Sequence, residues 1–219
     1  MKSSNFFDMK YLILLLFSSI VLNANSQRNY RFGIGYSAGI STFYSTKTNG
    51  YNQLLNGNYA LKMNQGVAVK FEFDLSNRWE LFCQTGFQQG GVRFNGYLDA
   101  YAPRYRMNYW DVQFGTQFLI YKSPSNNAVY TSLGLTQHTL LSSKRVYDTG
   151  EDDIHDEFSK YDVGALFALL YQIPVFQNHL IQLQASANFG LKQVYNDLFK
   201  QNGLIGKNTL FNIQISFLF

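Results

Sequence analysis

The chain has 219 residues, which is enough for one domain. Charged residues make up 15% and aromatic residues 17%, and the mean hydropathy of -0.17 is what strict alternation of apolar and polar residues would produce. The net charge of +4 is too small to indicate nucleic-acid binding, and the single cysteine excludes an internal disulfide.

The first 26 residues have the pattern of a cleaved secretory signal peptide. Lys2 and Lys10 precede an apolar run from Leu12 to Leu22, and Ala24 and Ser26 are small residues at the positions that signal peptidase requires. The apolar run is too short for a spanning helix, which needs about 20 residues. We therefore expect two parts: a signal peptide at 1–26 and a mature domain at 27–219.

The mature chain contains about eight segments in which apolar residues occupy every second position, the pattern of a strand with one apolar face. The sixth is the weakest, because both of its faces become apolar. In chain order these segments are 30–41, 66–74, 79–88, 110–120, 129–136, 160–171, 180–189 and 211–219.

The connections between these segments alternate in length. Short turns are expected at 75–78, 122–127 and 172–178, and long links at 43–62, 90–106, 142–159 and 192–207. Short turns on one side and long loops on the other are typical of outer-membrane barrels, and a sheet in lipid must close because open edges are too costly there. The sequence therefore predicts an all-β fold, a transmembrane antiparallel up-and-down β-barrel of about eight strands.

The polar faces of these segments carry charged and large side chains that a narrow lumen would enclose. Unpaired buried charges are costly, so we expect an ion pair among Arg31, Glu72 and Glu80 and a carboxylate facing Lys70. An eight-stranded barrel has room for side chains and not for an aqueous pore, which argues against a general porin. The side chains expected to fill this lumen are Phe82, Gln84, Gln113, Gln117 and Gln184.

Four motifs resemble the PorT-like outer-membrane β-barrel family of the Bacteroidetes. The resemblance implies the barrel fold for most of the mature chain and no assigned activity, although the family's namesake supports a protein-secretion system; fold alone does not transfer that role. The motifs are Leu81–Gly90 (LFCQTGFQQG), Tyr130–Leu135 (YTSLGL), Tyr161–Gly164 (YDVG) and Asn188–Leu191 (NFGL).

Two kinds of chemistry can be tested against the sequence. A lipid-modifying enzyme would use a histidine beside a serine, but a strand cannot bring His138 and Ser142 together, so we expect His138 to be a solvated or rim residue. The loop 148–157 has the carboxylates for calcium but not the spacing of an EF-hand, so we expect a solvated acidic loop. The sequence thus predicts no catalytic, cofactor-binding or metal-binding residue.

The functional hypothesis is a non-enzymatic integral outer-membrane barrel whose long external loops serve a structural, adhesive or secretion-accessory role. The alternative is an outer-membrane lipid-modifying enzyme, a hydrolase or acyltransferase. The expected location is the outer membrane of a Gram-negative bacterium, and the expected oligomeric state is a monomer. Expected partners are outer-membrane lipid, the barrel-assembly machinery through the C-terminal strand ending at Phe219, and an unknown protein or ligand at the external loops, with no nucleic acid.

Overall fold

The computed structural model describes residues 30–44, 59–94, 104–147, 149–176, 179–195 and 206–219. The predicted signal peptide at 1–26 lies outside these residues. No helix in the described ranges is long and apolar enough to cross a membrane. The long strands are β1 (Tyr30–Tyr44), β3 (Lys62–Asp74), β4 (Trp79–Phe94), β5 (Arg104–Lys122), β6 (Ala128–Tyr147), β8 (Tyr161–Phe176), β9 (His179–Gly190) and β10 (Lys207–Leu218); the short elements are β2 (Tyr59–Ala60), β7 (Gly150–Asp153) and a 3-10 turn at His155–Glu157.

The eight long strands form one closed antiparallel barrel. Each long strand pairs with the next along the chain, and β10 returns to pair with β1, with Ser37 opposite Gln214. Beyond the last paired strand residue, Phe219 exchanges two backbone hydrogen bonds with Phe32, of 2.7 and 3.3 Å. This closure leaves no open edge and confirms the fold class expected from the sequence.

The outer face of the barrel carries an apolar band with an aromatic belt at each end. At the short-turn end, Trp79 lies opposite Phe118 with ring centroids 4.9 Å apart, and at the other end Trp110 lies opposite Phe87. The segment of β5 from Trp110 to Phe118 spans about 20 Å along the barrel axis at ordinary strand rise and tilt. Side chains within this band, such as Leu133, point outward and are 55% exposed, as the alternation predicts.

The strands are longer than the sequence patterns indicate, mainly at the end opposite the short turns. Strand β5 begins at Arg104 rather than near 110, and β6 continues to Tyr147 rather than ending near 136. The expected long links at 90–106 and 142–159 are therefore partly strand. At the other end β8 continues through Pro174. A register shift next to it interrupts the hydrogen-bond ladder, which accommodates a residue that has no backbone N–H.

Beyond the Trp110 belt the apolar residues lie on the inner face of the strands instead of the outer face, although the same alternate positions of β5 continue to point outward. Arg104 and Arg106 point outward and are solvent-accessible, while Tyr105 and Met107 point inward and are buried. The reason is the change of surroundings, since the outer face meets lipid hydrocarbon below the belt and polar headgroups and water above it. Beyond the membrane the barrel therefore has an apolar interior, like a soluble protein.

Candidate functional site: the lumen and the external end

The end of the barrel with the long connections is called external below, following the orientation of outer-membrane barrels. In the opposite, periplasmic half of the lumen, Glu72 is the centre of a charged network. Its carboxylate lies 2.8 Å from Lys70 Nζ and 3.1 Å from Arg31 Nε. Arg31 also contacts Glu80 at 2.8 Å. The predicted ion pair and the predicted carboxylate partner of Lys70 are thus both confirmed.

Glutamine side chains from the opposite wall complete this network. Gln117, Gln172 and Gln182 donate to the two oxygens of Glu72 over 3.2, 3.4 and 2.8 Å. Because these residues belong to β5, β8 and β9, the Glu72 carboxylate ties strands together across the lumen. Several donors on one buried carboxylate are what make such a charge tolerable in a low-dielectric interior.

The middle of the lumen is filled by large polar side chains. Gln84 and Gln214 hydrogen-bond each other in both directions, at 3.1 and 3.0 Å. A cavity of about 20 Å³ remains beside Gln113 and Gln184, which is room for roughly one water molecule. The sequence prediction that Phe82 and these glutamines occupy the lumen is confirmed.

The external half of the lumen contains a second polar cluster centred on His138. In the strand register His138 lies opposite both Asp111 on β5 and Asp162 on β8, and its Nδ1 hydrogen-bonds Asp111. Asn188 donates to its Nε2 at 2.8 Å. The expectation of a solvated rim histidine is wrong, because inward parity places His138 inside the barrel with only 1% of its surface exposed.

This cluster has the residue types of a catalytic triad, but its nucleophile and base are already engaged in other hydrogen bonds. Thr136 Oγ1 lies 3.3 Å from His138 Nε2, with Asp111 on the other ring nitrogen. However, Thr136 Oγ1 also donates to Asn188 Oδ1 over 3.1 Å, so its single proton is used, and Asn188 occupies the nitrogen that would act as base. Ser142, the residue considered from the sequence, instead accepts a hydrogen bond from Asn108.

An apolar cap closes the external mouth of the barrel. Phe158 stacks on Tyr195 at 5.1 Å, and both rings lie against Phe43. The connection after β7 and the one after β9 are also joined by a backbone bond from Ser159 to Val194 of 2.6 Å. The ten buried residues of this external cap are Phe43, Val92, Tyr105, Met107, Tyr109, Leu140, Ile154, Phe158, Val194 and Tyr195.

Sequence reasoning missed the cap because most of its members fall in segments interpreted as loops. A signal was present, since Tyr105, Met107 and Tyr109 alternate with polar residues in the opposite parity to the band below. The inversion at Trp110 marks the point where a strand leaves lipid and begins to enclose an apolar core.

The acidic loop is held against the barrel by basic strand residues. Glu157 makes a bidentate contact with Arg145 at 2.8 and 2.7 Å, and Glu151 contacts Arg106 at 2.8 Å and Lys144 at 2.9 Å. The Lys144 ammonium that donates to it holds the pKa of the exposed Glu151 below its usual range. Within the described part of the loop, no group of three metal-ligating side chains is assembled.

A closed barrel with a lipid-facing band, two aromatic belts and a packed polar lumen defines the class as a transmembrane β-barrel of the outer-membrane type. The family model for the outer membrane protein beta-barrel domain matches residues 23–196. The chain belongs to that family and is an integral outer-membrane protein.

The chain is similar to several solved outer-membrane barrels at low sequence identity, and two of them share its fold. A major outer membrane protein from Thermus thermophilus is 11% identical, covering 87% of this chain and all (100%) of its own, with a TM-score of 0.54. OprG from Pseudomonas aeruginosa is 13% identical over 85% and 94% of the two chains, with a TM-score of 0.50. Ail, the attachment invasion locus protein of Yersinia pestis, is 16% identical over 87% and 97%, with a TM-score of 0.45. Among curated proteins the sequence has no match.

Proposed function

We propose that this barrel is a monomeric, non-enzymatic protein of the PorT-like type, and that its external end is a structural, adhesive or secretion-accessory surface. The observation that carries the proposal is the external cap. Ile154 and Phe158 from one connection and Val194 and Tyr195 from another are buried at the mouth of the barrel. An apolar core of this size holds the external connections in one arrangement. Binding surfaces commonly lie on loops that are rigidly supported in this way.

The filling of the lumen supports the same proposal. The Glu72 network, the glutamine pair and the His138 cluster succeed one another along the lumen below the external cap. Because these side chains fill the narrow lumen, a partner has to bind to the outside of the protein. The external end is where such a partner would meet it.

The alternative function, modification of outer-membrane lipid, is favoured by one observation. His138 is within hydrogen-bonding reach of both Thr136 and Asp111, as a base is of its nucleophile and its acid. Their burial argues against this function. Thr136 and His138 are each only 1% exposed and face the lumen, so a lipid in the bilayer has no path to them through the described residues.

The proposal predicts that loosening the external cap impairs function without removing the barrel. The double substitution Phe158→Ser and Tyr195→Ser should leave the membrane band intact, so the variant should still reach the outer membrane. A strain that lacks the gene would be complemented with each variant and scored for adhesion, envelope integrity and protein secretion. We expect the cap variant to restore these properties less than the parent, and Gln113→Ser, a control in the lumen, to restore them fully.

Three outcomes would contradict the proposal. Full complementation by the cap variant would mean that the external end is not the functional surface. Steady ion conductance of the purified parent in planar bilayers would mean that the lumen is open. Hydrolysis of phospholipid by the parent that is lost on His138→Gln would favour the enzymatic alternative.

A further inference from the structure

Four cationic side chains form a row on the outer face of the barrel, just beyond its external aromatic belt. Arg93 on β4 lies directly opposite Arg104 on β5, and Arg106 on β5 lies directly opposite Lys144 on β6. Like charges placed directly opposite each other across a ladder are destabilising. A fold that places two such pairs side by side gains stability when an anion binds between them. We call Arg93, Arg104, Arg106 and Lys144 the external cationic row.

The protein itself neutralises only part of this row. Glu151 contacts both Arg106 and Lys144, so one carboxylate serves two cations. Arg104 has no carboxylate within salt-bridge distance among the described residues, and the Nε of Arg93 is buried without a hydrogen-bond partner there. An unpaired buried guanidinium N–H is costly, so an anion that reaches the Arg93 guanidinium would offset that cost.

A neighbouring lysine adds a further cationic side chain to this region. The ammonium of Lys62 donates to the backbone oxygens of Gly90 and Tyr105, at 3.2 and 2.7 Å, immediately beneath the row. Burial and the guanidinium groups of Arg106 and Arg104 lower the pKa of Lys62 to about 8. The positive charges that lower the pKa of Lys62 would also attract an anion.

The depth of the row indicates where that anion comes from. Arg106 is four residues and Arg104 six residues beyond Trp110 along β5, which places the row about 10–15 Å above the aromatic belt at ordinary strand rise and tilt. The Arg106 side chain lies on the outward face of the strand and is partly exposed. At this height and in this direction a side chain meets the headgroups of the outer leaflet.

We propose that the external cationic row binds the phosphate groups of a phosphorylated lipid in the outer leaflet. Arginine is suited to this because its planar guanidinium can give two parallel hydrogen bonds to one phosphate. Arg93 and Arg104 form the primary contact, while Glu151 competes with phosphate for Arg106 and Lys144. The site would fix the rotation and depth of the barrel in the membrane and cover its external rim with lipid.

The test measures retention of lipid by the purified full-length protein. The parent and its variants would be titrated with bisphosphorylated lipid A in detergent and analysed by native mass spectrometry, with a heat-modifiable gel band as the check of folding. Arg93→Gln with Arg104→Gln should weaken retention by roughly tenfold, as expected for the loss of charge-assisted bonds. Glu151→Gln should strengthen it. The control Arg78→Gln with Lys122→Gln removes two exposed cations at the periplasmic end and should leave retention unchanged.

The opposite results would overturn the proposal. Unchanged retention by the Arg93 and Arg104 variant, or equal retention of dephosphorylated lipid A, would mean that the row does not recognise lipid phosphate. An equal loss of lipid retention in the periplasmic control would mean that retention depends only on the net charge of the protein. Binding of inorganic polyphosphate without any retention of lipid A would assign the row to a soluble polyanion instead.

Discussion

Replacing Glu72 by leucine is expected to lower the free energy of unfolding by about 3–5 kcal/mol, the cost of leaving a buried charge without its partner. Lys70 would lose the Glu72 carboxylate 2.8 Å from its ammonium, and the ammonium would stay buried in the lumen without an ionic partner. The three glutamine amides that donate to Glu72 would lose their acceptor as well. Urea titration of the barrel refolded in lipid vesicles would measure the loss.

Two further variants serve as controls for the Glu72→Leu experiment. Lys70→Met combined with Glu72→Leu removes both charges and should recover a large part of the loss, since an apolar pair of similar volume is often no less stable than a buried ion pair. Asp74→Asn removes a carboxylate that contacts the same Arg31 but is partly exposed, and should cost less than about 1 kcal/mol. Equal losses for Glu72→Leu and Asp74→Asn would show that the network is not a buried structural element.

Replacing Phe219 by alanine is expected to reduce the amount of barrel in the outer membrane sharply while leaving refolding in detergent near normal. We propose that the C-terminal strand, with apolar side chains at every second position up to Phe219, is read by the barrel-assembly machinery. Alanine keeps the two backbone bonds to Phe32, so barrel closure is preserved. The lost apolar contact is worth at most about 1.5–3 kcal/mol. The measurement is the heat-modifiable band in outer-membrane fractions, compared with refolding yield.

A neighbouring residue separates recognition from packing. Phe217 lies in the same outward row, with its ring 5.0 Å from that of Phe219. Phe217→Ala should therefore cost similar packing energy but spare the terminal aromatic residue, and should reach the membrane better than Phe219→Ala. Similar membrane levels for the two variants would mean that Phe219 only packs, and the recognition proposal would fail while the barrel remains.

The sequence predicted the membrane band well because lipid imposes a simple rule. Most outward residues are apolar and every second residue points outward, so Leu133 could be assigned to the lipid face directly. The same parity placed Arg31, Lys70 and Glu72 together in the lumen, where charges have to pair.

The external end could not be predicted in the same way. There the strands leave lipid, the apolar side turns inward, and segments such as the start of β5 lose the pattern that identified the rest. The burial of His138 follows from its even position on β6, but its partners Asp111 and Asn188 come from strands whose register the sequence does not fix. The external cap depends on connections after β7 and β9 meeting each other, which is a long-range contact without a periodic signal.

The most direct test of the account is whether the cost of an outward charge depends on membrane depth. Leu135 and Leu141 both point outward from β6. Leu135 lies opposite Phe114, midway between the two belts, and Leu141 lies at the level of the external belt, next to the register shift at Asn108 and Tyr109. In vesicle unfolding titrations, Leu135→Arg should cost about 2–4 kcal/mol and Leu141→Arg about 0–1 kcal/mol. The lumen variant Gln113→Ser should stay close to the parent. Equal small costs for the two arginine variants would mean that water rather than lipid surrounds the barrel, and would contradict the account.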